Sequence, residues 1–393
     1  MELTVQSAAF LLLIAVVVAI LTQRLNLPYS VGLVAAGIGL AFLPFHNTIP
    51  LTKTLLFTVL LPPLIFQAAF YLEWPHLRRD LGVIVVLATL GVMLSAGVTT
   101  IGMHYLANWQ WLSALVFGVL IAATDPVSVI ATFKDAGARG RLVLLVEAES
   151  LFNDGTAAVF FAMVLELIAG HTPSASQGIL ELFLTAGGGL FSGAAVAALA
   201  LLLAGNTQDH LVEIALTTVA AYGSFLVAEQ FHMSGVLATL SAGLTLGNLG
   251  TNNRISDRGK EAVQDFWEYA AFVANSLIFL LIGMHIATQN FRGVGSAAAI
   301  AILLVTLGRA AAVYPCAALF AGSSQRIPAR QQHILFWGGL RGALALALAL
   351  ALPDNVPQRE TIIAISFAVV AFSVFVQGLT MKPLLRVGGA LPK

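Results

Sequence analysis

Long apolar segments follow one another along the whole chain, and they constrain its fold more than any other feature. A helix needs roughly 20 apolar residues to cross about 30 Å of hydrocarbon. The connections between the segments are short, so we predict one all-α polytopic membrane domain over 1–393 without a soluble regulatory domain. The thirteen segments, called spans 1 to 13, lie at 7–23, 29–45, 51–72, 81–104, 111–133, 142–169, 179–204, 211–230, 233–250, 262–288, 294–321, 330–352 and 360–385.

The composition excludes several other classes of protein. Charged residues make up 10% of the chain, against about 25% in a soluble domain. A soluble enzyme and a disordered protein are therefore excluded. A nucleic-acid-binding protein is excluded too, because 19 basic and 19 acidic residues leave no surplus of positive charge to bind a phosphate backbone. Cys316 is the single cysteine, which excludes disulfides and cysteine-based metal sites. We expect no enzymatic activity and no cofactor.

The basic residues predict the orientation in the membrane. Of the 19 lysines and arginines, 14 lie in the segments after odd-numbered spans and at the C-terminus, while three lie on the opposite side and two within spans. Cytoplasmic segments carry the excess of basic residues. We therefore expect an integral protein of the plasma (cell inner) membrane with its N-terminus outside and its C-terminus in the cytoplasm.

Spans 5 and 12 carry signals of interrupted helices. In span 5, Asp125 precedes Pro126, a pair that suits the start of a new half-helix, although a simple kink is the alternative. In span 12, Arg341 lies among three glycines, and a cation there suits the C-terminal end of a half-helix. Spans seven apart run in opposite directions, so we predict inverted repeats at about 7–169 and 211–385, joined by a connector helix at about 179–204.

Span 6 has the densest set of buried polar residues. Ser150 and Asp154 are four residues apart and share one helix face, while Glu149 and Asn153 form a second such pair on the adjacent face. Oxygen ligands from Asp154, Ser150 and the unwound backbone of span 5 would suit a hard cation. The alternative is an acid paired with Arg309 or Arg341, and we prefer that reading for Glu149 and ion binding for Asp154.

Four motifs resemble the first cation:proton antiporter family, which includes bacterial NhaP-type and animal sodium/proton exchangers. They occur in the expected order on spans 3, 5, 6 and 12. The motifs are Leu61-Pro62-Pro63, Thr124-Asp125-Pro126, Glu149-Ser150-Leu151-Phe152-Asn153-Asp154-Gly155 and Gly338-Gly339-Leu340-Arg341-Gly342. The resemblance implies thirteen spans, a homodimer in the lipid bilayer, crossed broken helices at spans 5 and 12, and a core bundle that moves against a dimerisation bundle.

The resemblance also implies residue roles. Asp154 would bind a monovalent cation and a proton alternately, with Ser150 and the backbone of Thr124 as further ligands. Asp125 would compensate the half-helix ends at the crossing. Glu149 would pair with Arg341, and Arg309 would match the family's basic residue on span 11. Gln67 stands where family members commonly have a carboxylate, and its amide can still offer an oxygen to the ion.

The implied function is exchange of Na⁺, or of K⁺ or Li⁺, for protons, which serves pH and sodium homeostasis. Asn153 beside Asp154 leaves one titrating group, which predicts electroneutral exchange of one cation for one proton. A cation channel is the first alternative, but it would need a continuous polar pore. A sodium-coupled solute carrier is the second, although no feature selects an organic substrate. The third alternative is an intramembrane aspartyl protease. Such proteases carry a Gly-x-Gly-Asp motif, which this sequence does not contain.

Overall fold

The computed structural model has helices and no strands among the residues that it describes, which are 5–42, 51–125, 129–130, 133, 140–170, 174–205, 207, 209–250, 256–291 and 293–387. Nine helices in this part of the chain are long and apolar enough to cross a membrane, and four apolar helices are shorter. Together they correspond one for one to the thirteen predicted spans. The all-α membrane fold is therefore confirmed.

The helix bounds differ from the predicted spans mainly at their ends. The α-helices are Val5–Leu25, Tyr29–Leu40, Leu61–Tyr71, Trp74–Val86, Val92–Ala107, Trp111–Leu120, Arg141–Ile168, Ala175–Ala204, His210–Gln230, Gly235–Thr245, Asp257–Thr288, Gly295–Leu319, Ala329–Gly338, Ala343–Leu350, Arg359–Phe372 and Leu379–Val387. The described residues also include four π-helical turns. Leu55–Leu60 lies near the start of span 3, Leu87–Gly91 lies within span 4, Leu246–Gly250 ends span 9, and Ser373–Gly378 lies within span 13.

Polar residues fix the starts of several spans. The Ser174 hydroxyl accepts a hydrogen bond from the backbone of Gln177, whose side chain accepts one in return. Ser234 and Ser256 cap spans 9 and 10 in the same way through their hydroxyls. A side-chain acceptor at this position satisfies a helix N–H that has no partner within the helix.

Spans 7 and 9 pack closely because span 7 carries Gly189 and Gly193. A Cβ atom at Gly193 would overlap the backbone of Ala238, and one at Gly189 would contact the backbone of Ser234. The close helix packing that the G-x-x-x-G spacing predicts is therefore confirmed. A small second core around Trp267 joins spans 3, 7, 8, 9 and 10, while a larger core runs through the rest of the bundle.

Candidate ion-binding site

Span 6 forms one uninterrupted helix, Arg141–Ile168, with Asp154 at its middle. Glu149, Ser150, Asn153 and Asp154 are all buried, and Asp154 is only 7% exposed. The helix periodicity that predicted two polar faces is therefore what brings these four side chains into the interior. The two faces have different partners.

Asp154 lines a small cavity with a volume of about 30 Å³. Thr124 and Asp125 from span 5 and Gly342 from span 12 line the same cavity. The backbone N–H of Thr124 points at the Asp154 carboxylate, and the Thr124 hydroxyl donates to Ser150 Oγ over 3.2 Å. Three of the predicted ligand residues, Thr124, Ser150 and Asp154, therefore meet at one place.

One oxygen of Asp154 has no hydrogen-bond partner among the described residues, although it is fully buried. Buried polar atoms are nearly always paired with protein or water. A buried acceptor oxygen beside a small cavity can accept a hydrogen bond from water, carry a proton or bind a cation. This chemistry is what the sequence motif on span 6 led us to expect.

Non-helical residues of spans 5 and 12 lie against each other. The helix Trp111–Leu120 of span 5 ends before residues 123–125, which are not helical. Span 12 consists of Ala329–Gly338 and Ala343–Leu350 with four non-helical residues between them. The Asp125 N–H donates to the Leu340 carbonyl over 2.8 Å. A Cβ atom at Gly342 would overlap the Asp125 side chain, so only glycine permits this approach.

The continuation of span 5 after Asp125 is only partly described. Pro126 and Ser128 lie outside the described residues, and so do most of the residues up to 139. The half-helix that Asp125 and Pro126 are predicted to begin therefore stays a prediction.

Arg341 is bonded to backbone rather than to an acid. Its Nη1 donates to the carbonyl oxygens of Ala122 and Ala123, just after the first helix of span 5. The C-terminal end of a helix carries partial negative charge, so a buried guanidinium stabilises it. That Arg341 serves the end of a half-helix stays a prediction.

Glu149 pairs with Arg309, and the predicted Glu149–Arg341 pair is wrong. Both terminal nitrogens of Arg309 donate to the Glu149 carboxylate, over 2.7 and 2.9 Å. Arg309 Nη2 also donates to the Leu335 carbonyl, and Asn153 Nδ2 donates to Glu149 over 3.3 Å. The physical reason is that Arg341 is already bonded to span 5, while span 11 brings Arg309 to the other face of span 6.

Gln67 is half-buried on span 3 but does not line the cavity beside Asp154. Its helix neighbours Leu64 and Ala68 do. Gln67 therefore lies outside this cavity wall, and its role toward the ion stays a prediction. Sequence reasoning also missed the Leu340, Ala122 and Ala123 carbonyls as partners, since a backbone acceptor leaves no signal in residue identity.

A second, larger cavity of about 980 Å³ is lined by residues of spans 3, 6 and 12 and by residues of spans 7, 8 and 9. On spans 3, 6 and 12, residues that line this larger cavity lie one helical turn from residues that line the Asp154 cavity. Phe57 stands one turn from Leu61, Ala158 one turn from Asp154, and Leu348 one turn from Leu344. The two cavities therefore follow one another end to end.

These features define a polytopic helical membrane protein with a polar site at the centre of its bundle. The chain belongs to the sodium/hydrogen exchanger family: the family model "Sodium/hydrogen exchanger, transmembrane" matches residues 11–387. The resemblance carried by the four motifs is confirmed.

Two similar proteins are the Na⁺/H⁺ antiporter ApNhaP of Aphanothece halophytica and the Na⁺/H⁺ antiporter NhaP of Pseudomonas aeruginosa. The first is 37% identical over 92% of this chain and 70% of its own. The second is 36% identical over 84% of this chain and 80% of its own. The fold resembles the sodium proton antiporter MjNhaP1 from Methanocaldococcus jannaschii, with a TM-score of 0.80, 20% identity and 100% of each chain covered.

Proposed function

We propose that this protein exchanges Na⁺ for protons across the membrane, with both ions competing for the carboxylate of Asp154. The observation that carries the proposal is a buried oxygen of Asp154 that has no partner among the described residues and lies beside a small cavity. Relatives of similar sequence bear the name Na⁺/H⁺ antiporter, which supports this assignment.

The cation ligands would be Asp154, the Ser150 hydroxyl and the backbone of Thr124. These are oxygen donors, which hard cations prefer. Asp125 compensates the helix ends at the crossing. The Asn153 amide oxygen is buried without a partner among the described residues, so it is a further candidate ligand, whereas Gln67 acts from outside the cavity.

Obligatory exchange follows from the cost of an empty charged site. Removing a carboxylate from water disfavours its charged form, and a bare charge within a bilayer is expensive. When Asp154 carries either a proton or a cation, that charge is neutralised. If only the neutralised site can move between the two sides, each cation crossing one way requires a proton crossing back.

The architecture that we propose has two inverted repeats, 7–169 and 211–385, and a connector span 7. Spans 5 and 12 are its broken, crossing helices, as the hydrogen bond between Asp125 and Leu340 suggests. The small core of spans 3, 7, 8, 9 and 10 would belong to the dimerisation bundle of a homodimer. The N-terminus lies outside and the C-terminus in the cytoplasm.

In this orientation the large cavity is the outer approach to the site. Its lining lies on the outer side of the Asp154 cavity on spans 3, 6 and 12 alike. Glu166, Glu181 and Glu229 contribute carboxylates to its wall. Negative charge along a cavity raises the local concentration of cations.

The experiment is a cation titration in proteoliposomes with an internal pH dye. Outward Na⁺, K⁺ and Li⁺ gradients are applied separately, without any organic solute. Exchange predicts proton movement opposite to a Na⁺ gradient, with the K⁺ and Li⁺ series giving the selectivity. A cation current without coupled proton movement would establish the channel alternative, and dependence on an organic solute would establish the solute carrier.

Stoichiometry is tested by clamping the vesicle voltage. One titrating group predicts exchange of one Na⁺ for one proton, because Glu149 is held by Arg309 and Asn153 cannot titrate. Each elementary charge moved is worth about 2.3 kcal/mol per 100 mV. We expect the final pH difference at a fixed Na⁺ gradient to be independent of voltage, and a shift with voltage would make Asp125 a second proton carrier.

A further inference from the structure

A second small cavity lies between spans 11, 12 and 13 and shares no lining residue with the Asp154 cavity. Its volume is about 10 Å³. A cavity needs a volume of about 10–15 Å³ to hold one water molecule, so this cavity is close to that minimum. Both buried arginines, Arg309 and Arg341, contribute to its wall. The proposed exchange mechanism does not use this cavity.

Two donors at this cavity have no acceptor among the residues that the structure describes. They are Arg309 Nε–H and Arg341 Nη2–H, and both nitrogens are fully buried. Gly339 leaves the space beside Arg309 Nε, because a Cβ atom at this position would overlap that nitrogen. An unsatisfied buried donor on a charged group is costly, so a partner is expected here.

The remaining polar wall offers acceptors. Ser373 and Gln377 lie on the π-helical turn Ser373–Gly378 of span 13, and the Ser373 hydroxyl donates to Gln377 Oε1 over 2.7 Å. The Thr306 hydroxyl of span 11 donates to the Ile302 carbonyl over 2.8 Å. Both hydroxyl oxygens keep lone pairs that can still accept hydrogen bonds. Isolated π-turns within helices occur frequently at functional sites.

We propose that this cavity is a binding site for one ordered water molecule. The water accepts from Arg309 Nε–H and Arg341 Nη2–H and donates to the hydroxyl oxygens of Thr306 and Ser373. It thereby joins span 13 to the two arginines that anchor spans 5 and 6. A water molecule has two lone pairs for the two arginine nitrogens and two hydrogens for the two hydroxyl oxygens.

A small anion fits the charges less well than water. The Arg309 guanidinium already has both of its terminal nitrogens on the Glu149 carboxylate. Arg341 lies within electrostatic range of Glu149 and Asp154. An anion would therefore add a further negative charge to a buried cluster that already holds carboxylates, and removing that anion from water is costly.

The direct test is an experimental structure of the full chain at a resolution that shows ordered water, determined in NaCl and in NaBr. We expect one peak within hydrogen-bonding distance of both nitrogens, unchanged in bromide. An empty site would overturn the proposal. Anomalous signal from bromide at the site would also overturn it and assign the cavity to an anion.

A matched pair of variants tests the role of the wall. Ser373→Ala removes an acceptor of the water, while Ser366→Ala removes a similarly buried hydroxyl of the same span, which donates to the Ile362 carbonyl of its own helix. We expect Ser373→Ala to weaken the peak and to lower the melting temperature in detergent more than Ser366→Ala does. Equal melting temperatures with an unchanged peak would show that Ser373 does not hold the water. If the Ser373→Ala protein does not fold, the presence or absence of the water peak in the parental structure still tests the proposal.

Discussion

Glu149 and Asp154 are two buried carboxylates on one helix, yet their surroundings differ completely. Glu149 is 1% exposed and Asp154 is 7% exposed. Glu149 accepts three hydrogen bonds, two from Arg309 and one from Asn153. Asp154 has an oxygen without a partner among the described residues and a cavity beside it.

The comparison shows that burial alone does not identify a transport site. A carboxylate that is fully paired has a fixed charge and holds its neighbours in place. A carboxylate with a free oxygen and adjacent space can exchange its partner. The difference arises because adjacent faces of span 6 meet different spans: span 11 brings a guanidinium to Glu149, and span 5 brings a backbone N–H and a hydroxyl to the face of Asp154 and Ser150.

The largest effect is expected from Asp154→Asn. The amide keeps the size of the side chain but cannot titrate or neutralise a cation, so Na⁺-driven proton movement in proteoliposomes should disappear. The protein should remain folded, with an unchanged elution volume in size-exclusion chromatography. As the control, Glu73→Gln makes the same chemical change at an exposed ion pair and should retain exchange. Parental rates in the Asp154 variant would place the ion site elsewhere.

The Glu149–Arg309 pair should dominate stability rather than ion binding. Removing one partner of a buried ion pair costs about 3–5 kcal/mol because it strands the other charge. Glu149→Ala and Arg309→Ala should each lower the unfolding free energy in detergent, and the double variant should lose less than the sum.

The control for that cycle is the same experiment with Arg341 in place of Arg309. Arg341 donates to the carbonyls of span 5 instead of Glu149, so its coupling with Glu149 should be the weaker of the two. Stronger coupling of Glu149 with Arg341 would contradict the geometry reported above.

Asp125→Asn should reduce exchange without abolishing it. The backbone N–H that bonds to Leu340 is unchanged by the substitution, and an amide can still cap a helix. The lost charge weakens compensation of the helix ends at the crossing. We expect a lower maximal exchange rate in proteoliposomes, intermediate between the parental protein and Asp154→Asn. Complete loss of exchange would show that Asp125 is as essential for exchange as Asp154.

The smallest effect is expected from Gln67→Glu. The substitution adds a carboxylate on span 3 outside the cavity wall, and opposite charges attract over several ångströms in a poorly solvated interior. We expect a modest fall in the Na⁺ concentration that gives half-maximal exchange, or an activity optimum at higher pH. Gln67→Leu is the matched control without charge and should change neither. An unchanged Gln67→Glu protein would place this position outside the ion pathway.

The membrane fold and its thirteen spans were predictable from the residues alone, because about 20 consecutive apolar residues have few stable alternatives to a spanning helix. The sequence also determined which residues of span 6 share a face, since helical spacing is a local property. The interruption of span 12 was predictable for the same local reason: its glycines weaken the helix around Arg341.

The arginine that pairs with Glu149 could not be identified without the packing of the helices. Arg309 and Arg341 are both buried cations within spans, and nothing in their spacing tells which helix lies beside which face of span 6. The structure likewise decided that Gln67 stands outside the Asp154 cavity. The physical reason is that partner choice depends on helix packing and on backbone carbonyls, and neither leaves a mark in the identity of the residues themselves.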